Sequence, residues 1–280
     1  MGAAARLEHT PISTHVGAEV HVDLREELGP AQREHLVKLY RRHHLLLFRG
    51  VPLSLEEQVR AVGYIGEPLG GSYISNTVAG AGAPEGELEF HSDLTYTELP
   101  TRGISLYAED VEPGAAATKY ANAQRAYELL PETLRERLRG RTAMHLRMPD
   151  HLESRTREWH MGPQGLRATQ PVLYPKPDTG EPVLLITRLA VDRILDMPAA
   201  DSEELLEELY GHLYAADNIY EHHWVMHDLV IWDNLALQHA RSDVRLHGPR
   251  RSLRRVAFAA QGQSGQAMAV QSLHTGMSRS

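Results

Sequence analysis

Two periods of apolar residues organise this chain. In GPAQREHLVKLYRRHH (29–44), Leu36, Leu39 and Tyr40 recur at helical spacing behind a Gly-Pro start, which predicts a helix. LLLF (45–48) follows as a short buried strand. SLEEQVRAVGYIG (54–66) predicts a second helix, with Ser54 as N-cap and Glu57 completing a capping box. NAQRAYELLPETLRERLRG is helical, capped by Asn122 and kinked or restarted at Pro131. The most regular helix is DSEELLEELYGHLYA (201–215), capped by Asp201 or Ser202.

Between these helices lie extended segments. RGISLYAEDVEPGAAATKYANA (102–123) predicts strand, Pro-Gly turn and strand, a hairpin. PVLLITRLAV (182–191), IYEHHWVMHDLVIWDN (219–234) and RRVAFAAQG (254–262) predict further strands. Residues 67–88, rich in Gly, Ala and Pro, predict a long loop, and residues 141–182 an irregular insertion. Residues 263–280 are a polar tail expected to fray. Strands scattered among a few helices, without βαβ alternation, imply a mainly β fold with flanking helices. We expect one domain over residues 1–262.

Composition narrows the chemistry. The 280 residues carry a net charge of −8, without the basic excess of a nucleic-acid binder. No apolar run approaches a membrane span and no secretory signal is visible, so a cytoplasmic protein is expected. There is no cysteine, so any metal must be held by His, Asp or Glu.

Within ELEFHSDLTYTELP, His91 and Asp93 stand at i and i+2, on one face if the strand continues. A third ligand should then come from a distant strand. His43 and His44 suit the C-terminal end of a basic helix. His145, His151 and His160 fall in the irregular insertion, as surface or lid residues. His222, His223 and His227 read as packing or solvent-exposed residues.

His239 differs. It follows DLVIWDNLALQ, a buried strand running into an Asp-Asn turn, and RRSLRRVAF begins a dozen residues on. Arg251 and Arg255 are four apart, so both lean to one side of that strand. A buried arginine without a carboxylate in its own stretch calls for an anionic ligand, such as a dicarboxylate, or else for ion pairing with an acidic residue elsewhere in the chain. Two His, one carboxylate and an arginine together suit octahedral Fe(II) with open positions for a 2-oxo acid and O2. A zinc-dependent hydrolase and a non-catalytic binding protein remain alternatives.

These residues resemble the Fe(II)/2-oxoglutarate-dependent dioxygenases of the taurine dioxygenase and 2,4-dichlorophenoxyacetate dioxygenase (TauD/TfdA) family, over roughly residues 10–261. The similarity runs through LLLFRG, FHSDLTY, LPTRGISLYAEDVEPGAAATKYAN, GEPVLLI, DLVIWDNLALQHA and RRSLRR. It implies a double-stranded β-helix (jelly roll, cupin-like) core. It implies His91, Asp93 and His239 as iron ligands, and Thr118 and Arg251 for the 2-oxoglutarate carboxylate. Arg255 is expected to bind an acidic group of the substrate, with Glu89 and Tyr96 beside it. Residues 67–88 and the 141–182 insertion are expected to form the lid. The implied reaction consumes 2-oxoglutarate and O2, releases succinate and CO2, and hydroxylates, cleaves or desaturates a small substrate. That substrate is expected to be anionic, amino-acid-like or a natural product. Dimers or tetramers are common in the family.

Overall fold

The computed structural model describes residues 6–82, 85–147, 165–260 and 262–264. The chain opens with β1 (Glu8–Pro11) and β2 (Ala18–His21), then α1 (Pro30–His43), β3 (Leu45–Phe48) and α2 (Leu55–Gly63). There follow β4 (Glu67–Ser75), β5 (Gly86–His91), β6 (Gly103–Val111) and β7 (Thr118–Asn122). Next come α3 (Ala123–Leu129), α4 (Glu132–Leu138), β8 (Thr142–Leu146), β9 (Arg167–Pro171), β10 (Leu173–Pro175) and β11 (Pro182–Leu184). The chain continues through β12 (Val191–Ile194), α5 (Ala199–Leu213), β13 (Ile219–His222), β14 (Leu229–Asp233), β15 (Leu237–Val244) and β16 (Arg251–Ala259).

Two sheets face each other. A seven-stranded sheet runs β1-β2-β3-β14-β6-β16-β4, and a four-stranded sheet runs β13-β7-β15-β5. Strand alternation decides which side chains meet between them. Leu45, Leu47, Ile104, Leu106, Val230, Trp232 and Leu253 point inward onto Tyr120 and Leu237 of the smaller sheet. Their neighbours Leu46, Phe48, Tyr107, Leu229, Ile231, Val256 and Phe258 point outward onto α1 and α2. Covered on both faces, LLLF and LVIW read as unbroken apolar runs. A third core joins α3, α4 and α5 to β11 and β12. The architecture is the expected double-stranded β-helix with helical flanks. No described helix is long and apolar enough to cross a membrane.

Local signals hold where their partners are local. Ser54 Oγ accepts from Glu57 N–H at 3.2 Å, and the Glu57 carboxylate accepts from Ser54 N–H at 2.7 Å, closing the capping box. Asn122 caps α3, accepting from Arg125 N–H at 2.8 Å, and Pro131 separates α3 from α4.

Four expectations are corrected. Residues 67–75 are strand β4, not loop; it is the sheet's edge, where Pro68 and two glycines cost few ladder bonds. Residues 102–123 are not a hairpin, because β6 pairs with β14 and β16 whereas β7 pairs with β13 and β15. The connection at 112–117 carries the chain from one sheet to the other. The 141–182 segment contains β8, β9 and β10; β8 pairs with β9 and β12, and His145 is fully buried on it rather than on a surface. Residues 148–164, with His151 and His160, lie outside the described residues, as do 265–280. Finally, α5 begins at Ala199 after Pro198; Ser202 lies inside it, its Oγ accepting from Ile194 N–H at 2.8 Å.

Candidate metal centre and co-substrate cleft

His91 and His239 are direct partners across the β5–β15 ladder, which sets their rings 4.2 Å apart. β5 ends at His91, so the strand does not carry Asp93. A turn does. Asn234 holds it there, its Oδ1 accepting from Asp93 N–H at 2.8 Å and its Nδ2 donating to Asp93 C=O at 3.1 Å. Leu94, next in sequence, has a φ of 60°, a left-handed conformation costly for a leucine. Asp93 Oδ1 then lies 3.5 Å from His91 Nε2 and 3.8 Å from His239 Nε2.

The donor set fits a metal ion. One ligand atom from each of the three residues falls within 4.8 Å of the others. His91 Nδ1 donates to the Glu89 carbonyl at 2.7 Å, which leaves Nε2 with its lone pair toward the centre. Burial pushes His239 down to about 3, helped by the neighbouring His91, so its imidazole is neutral and available as a ligand. Burial alone would raise Asp93, but the Arg255 guanidinium and the two imidazoles outweigh it and hold the carboxyl well below its usual range. Two imidazoles and a carboxylate form the facial set that suits Fe(II).

The cleft around this centre is lined by His91, Asp93, Thr118, Trp232, His239, Arg241, Arg251 and Arg255, with Ile74, Leu88, Ile104 and Leu106 as apolar wall. Arg251 and Arg255 enter from β16 on the face of the inward Leu253. The intervening Arg254 turns to the helical side, where Gln58 and Glu109 receive it at 2.8 and 2.9 Å. Arg251 Nε donates to Ala116 C=O at 2.8 Å and its Nη2 to Thr118 Oγ1 at 3.1 Å. Burial lowers Arg251 to about 9, and the nearby Arg241 charge adds to the effect.

The structure thus brings together His91, Asp93, His239, Thr118, Arg251 and Arg255. Arg255 does so with a difference, since its Nη2 donates to Asp93 Oδ2 at 2.6 Å. Glu89 is placed otherwise: its side chain is exposed, and only its carbonyl serves the centre. A bulge in β5, where the three-residue step from Leu88 to His91 opposes the two-residue step from Arg241 to His239 of β15, resets the alternation, so Leu88 and His91 face the cleft while Glu87 and Glu89 face away. Tyr96 is half-buried in the turn after β5 and does not line the cleft.

Two residues escaped the sequence reading. Arg241 lines the cleft and donates from Nη2 to the Glu85 and Gly86 carbonyls at 2.9 and 2.6 Å. Its position two after His239 on one strand was the available signal. Trp224, whose Nε1 donates to Thr118 Oγ1 at 3.0 Å, had none.

The sequence model of the family described as "Taurine catabolism dioxygenase TauD, TfdA family" matches residues 8–257. The chain belongs to this family. It is 30% identical over 266 residues to the (S)-phenoxypropionate/alpha-ketoglutarate-dioxygenase of Delftia acidovorans, covering 83% of this chain and 88% of that one. It is 29% identical over 267 residues to the alpha-ketoglutarate-dependent 2,4-dichlorophenoxyacetate dioxygenase of Cupriavidus pinatubonensis, covering 84% and 91%. Among solved structures, a taurine dioxygenase from Burkholderia xenovorans superposes with a TM-score of 0.75 at 26% identity, over 91% of this chain and 90% of that one. As a TauD/TfdA protein the chain is an Fe(II)- and 2-oxoglutarate-dependent dioxygenase, and neither the hydrolase nor the binding-protein alternative is retained.

Proposed function

We propose that this TauD/TfdA dioxygenase oxidises a C–H bond of a small anionic organic molecule, with His91, Asp93 and His239 holding Fe(II). With 2-oxoglutarate and O2, the bound metal supplies that oxidation, coupled to release of succinate and CO2. Thr118 and Arg251 bind the far carboxylate of 2-oxoglutarate. Asp93 divides its oxygens, Oδ1 toward the centre and Oδ2 toward Arg255. The Arg255 guanidinium keeps further N–H groups for a substrate anion.

One observation carries the substrate class: the cleft has three arginines, Arg241, Arg251 and Arg255, against a single carboxylate, Asp93. Fe(II) and dianionic 2-oxoglutarate add charges that cancel. The loaded cleft therefore stays cationic, and an anionic substrate lowers its excess positive charge. Relatives named for phenoxypropionate and 2,4-dichlorophenoxyacetate, and an alpha-ketoglutarate-dependent sulfate ester dioxygenase of Pseudomonas putida, support this reading. The net charge of −8 speaks against a nucleic-acid partner.

The first test is spectroscopic. Anaerobic Fe(II) with 2-oxoglutarate should give a visible metal-to-ligand charge-transfer band, and its absence from iron-loaded protein would sink the assignment of the centre. The second is a panel of aryloxy acids, alkyl sulfates, sulfonates, amino acids and neutral analogues, scored by succinate release with O2 uptake. Turnover confined to neutral compounds would refute the anionic class.

A further inference from the structure

The Thr118 hydroxyl receives two hydrogen bonds from groups that can only donate. Trp224 Nε1 reaches its oxygen at 3.0 Å and Arg251 Nη2 at 3.1 Å. An indole and a guanidinium have no acceptor, so both lone pairs of Thr118 Oγ1 are engaged as acceptors. Its single O–H must then donate elsewhere, and no acceptor for it stands among the described residues. Thr118 lines the cleft beside Arg251.

Trp224 is itself held. It is 6% exposed, and its ring meets His222 edge-on at 4.5 Å. His222 is buried between the Tyr220 hydroxyl at 3.1 Å and the Asp228 carboxylate at 3.2 Å. The same carboxylate accepts from Val225 N–H at 3.2 Å, closing the bend that carries the indole, and pairs with Arg49 at 3.0 Å. A buried carboxylate thereby fixes the bend, the bend fixes the indole, and the indole fixes the hydroxyl.

We infer that Trp224 is a positioning residue which locks Thr118 as a hydrogen-bond donor, so that this end of the cleft selects a 2-oxo acid ending in a carboxylate and rejects the corresponding amide. The inference rests on the reading that Thr118 and Arg251 hold the far end of 2-oxoglutarate. A carboxylate accepts from both Thr118 O–H and the Arg251 fork. An ω-amide turns an N–H₂ toward one of these donors, and no lone pair is left to receive it. Removing the indole N–H frees one lone pair on Thr118, so the hydroxyl can then serve an amide as acceptor.

The test is equilibrium binding of 2-oxoglutarate and of its ω-amide, 2-oxoglutaramate, to Mn(II)-loaded protein, without turnover. Trp224→Phe keeps the aromatic packing and deletes the N–H. It should weaken 2-oxoglutarate about fivefold, the effect of one neutral hydrogen bond, and spare the amide, lowering the preference by about that factor. Mn(II) affinity should stay as in wild type. Equal weakening of both ligands, or of neither, overturns the inference. Thr118→Val supplies an independent check should Trp224→Phe fold poorly: it too should lower the carboxylate preference, and an unchanged preference overturns the proposal. Adding Trp224→Phe to Thr118→Val should change nothing further. A persisting effect there would mean that the indole acts through packing. Wild-type protein that binds Mn(II) but neither 2-oxo acid overturns the co-substrate reading itself, and the inference with it.

Discussion

Arg255 Nη2 and Asp93 Oδ2 meet at 2.6 Å, so a residue expected to face substrate also braces a carboxylate of the candidate metal centre. The pair is about four-fifths buried on each side, so removing one partner leaves the other a poorly solvated, uncompensated charge. Arg255→Met should leave Asp93 without its cation and destabilise the metal-free protein at neutral pH. The sign with pH follows from Asp93, whose pKa is lowered in the fold. Such a carboxyl contributes stability above its unfolded value, about 3.9, and loses that contribution as pH falls toward the folded value. Urea unfolding of both proteins should therefore show a gap that is wide at pH 7 and narrows below about pH 4. A gap that widens on acidification would contradict the pairing.

Asn234 makes the second prediction. Its amide satisfies Asp93 N–H and C=O, and also the Thr101 carbonyl at 2.8 Å. Asn234→Ala strands these backbone groups, with an expected loss of about 3 kcal/mol. It should also weaken Mn(II) binding at least tenfold or so, as loss of support behind a ligand commonly does. Thermal unfolding and metal titration read the two effects separately. A stability loss with wild-type metal affinity would leave Asn234 a role in the fold alone.

What the sequence disclosed depended on how local each cause was. His91, Asp93 and His239 were legible as a candidate metal set because, without cysteine, only His, Asp or Glu can hold a metal, and because the Asp-Asn turn leads into the strand of His239. Arg251 was legible as a buried cation lacking a carboxylate. Arg255 was found, but its ion pair with Asp93 was not foreseen. β6 and β7 looked like a hairpin because strand, turn and strand form a local pattern, whereas sheet membership is decided by β14, β15 and β16 far along the chain. β4 was hidden by glycine and proline that only an edge position tolerates. Trp224 could not be found, since its function depends on a bend fixed by Asp228.

Gly103 tests the packing behind the site. It opens β6 between Asp233 of β14 and Phe258 of β16, and a Cβ there would fall within the Phe258 ring. Phe258 is fully buried against the helical side and cannot swing away. Gly103→Ala should therefore destabilise by about 3 kcal/mol, at the upper end of ordinary overpacking. Pairing it with Phe258→Leu, which shortens the obstructing ring, should recover part of that loss. Additive losses in a double-mutant cycle would show that the clash lies elsewhere.

Arg241 supplies the last prediction. Its guanidinium is buried at the cleft, close enough to depress Arg251, and it ties the start of β5 through the Glu85 and Gly86 carbonyls. Two buried cations side by side repel until an anion arrives between or beside them. Binding 2-oxoglutarate should therefore relieve a repulsion as well as form new contacts. Arg241→Met removes the repulsion from the empty cleft and also part of the attraction in the filled one. The attraction acts on a full carboxylate charge in a confined site, so it is the larger loss, and 2-oxoglutarate affinity should fall about tenfold. The same substitution should flatten the salt dependence of binding between 20 and 300 mM ionic strength, roughly the range over which screening shortens from well beyond to well within the cleft's dimensions. Arg241→Lys separates charge from the carbonyl tie. It should restore the salt dependence while leaving β5 less firmly held, seen as faster amide exchange at Gly86 and Glu87. Wild-type affinity and salt dependence in Arg241→Met would show that this arginine serves the strand alone.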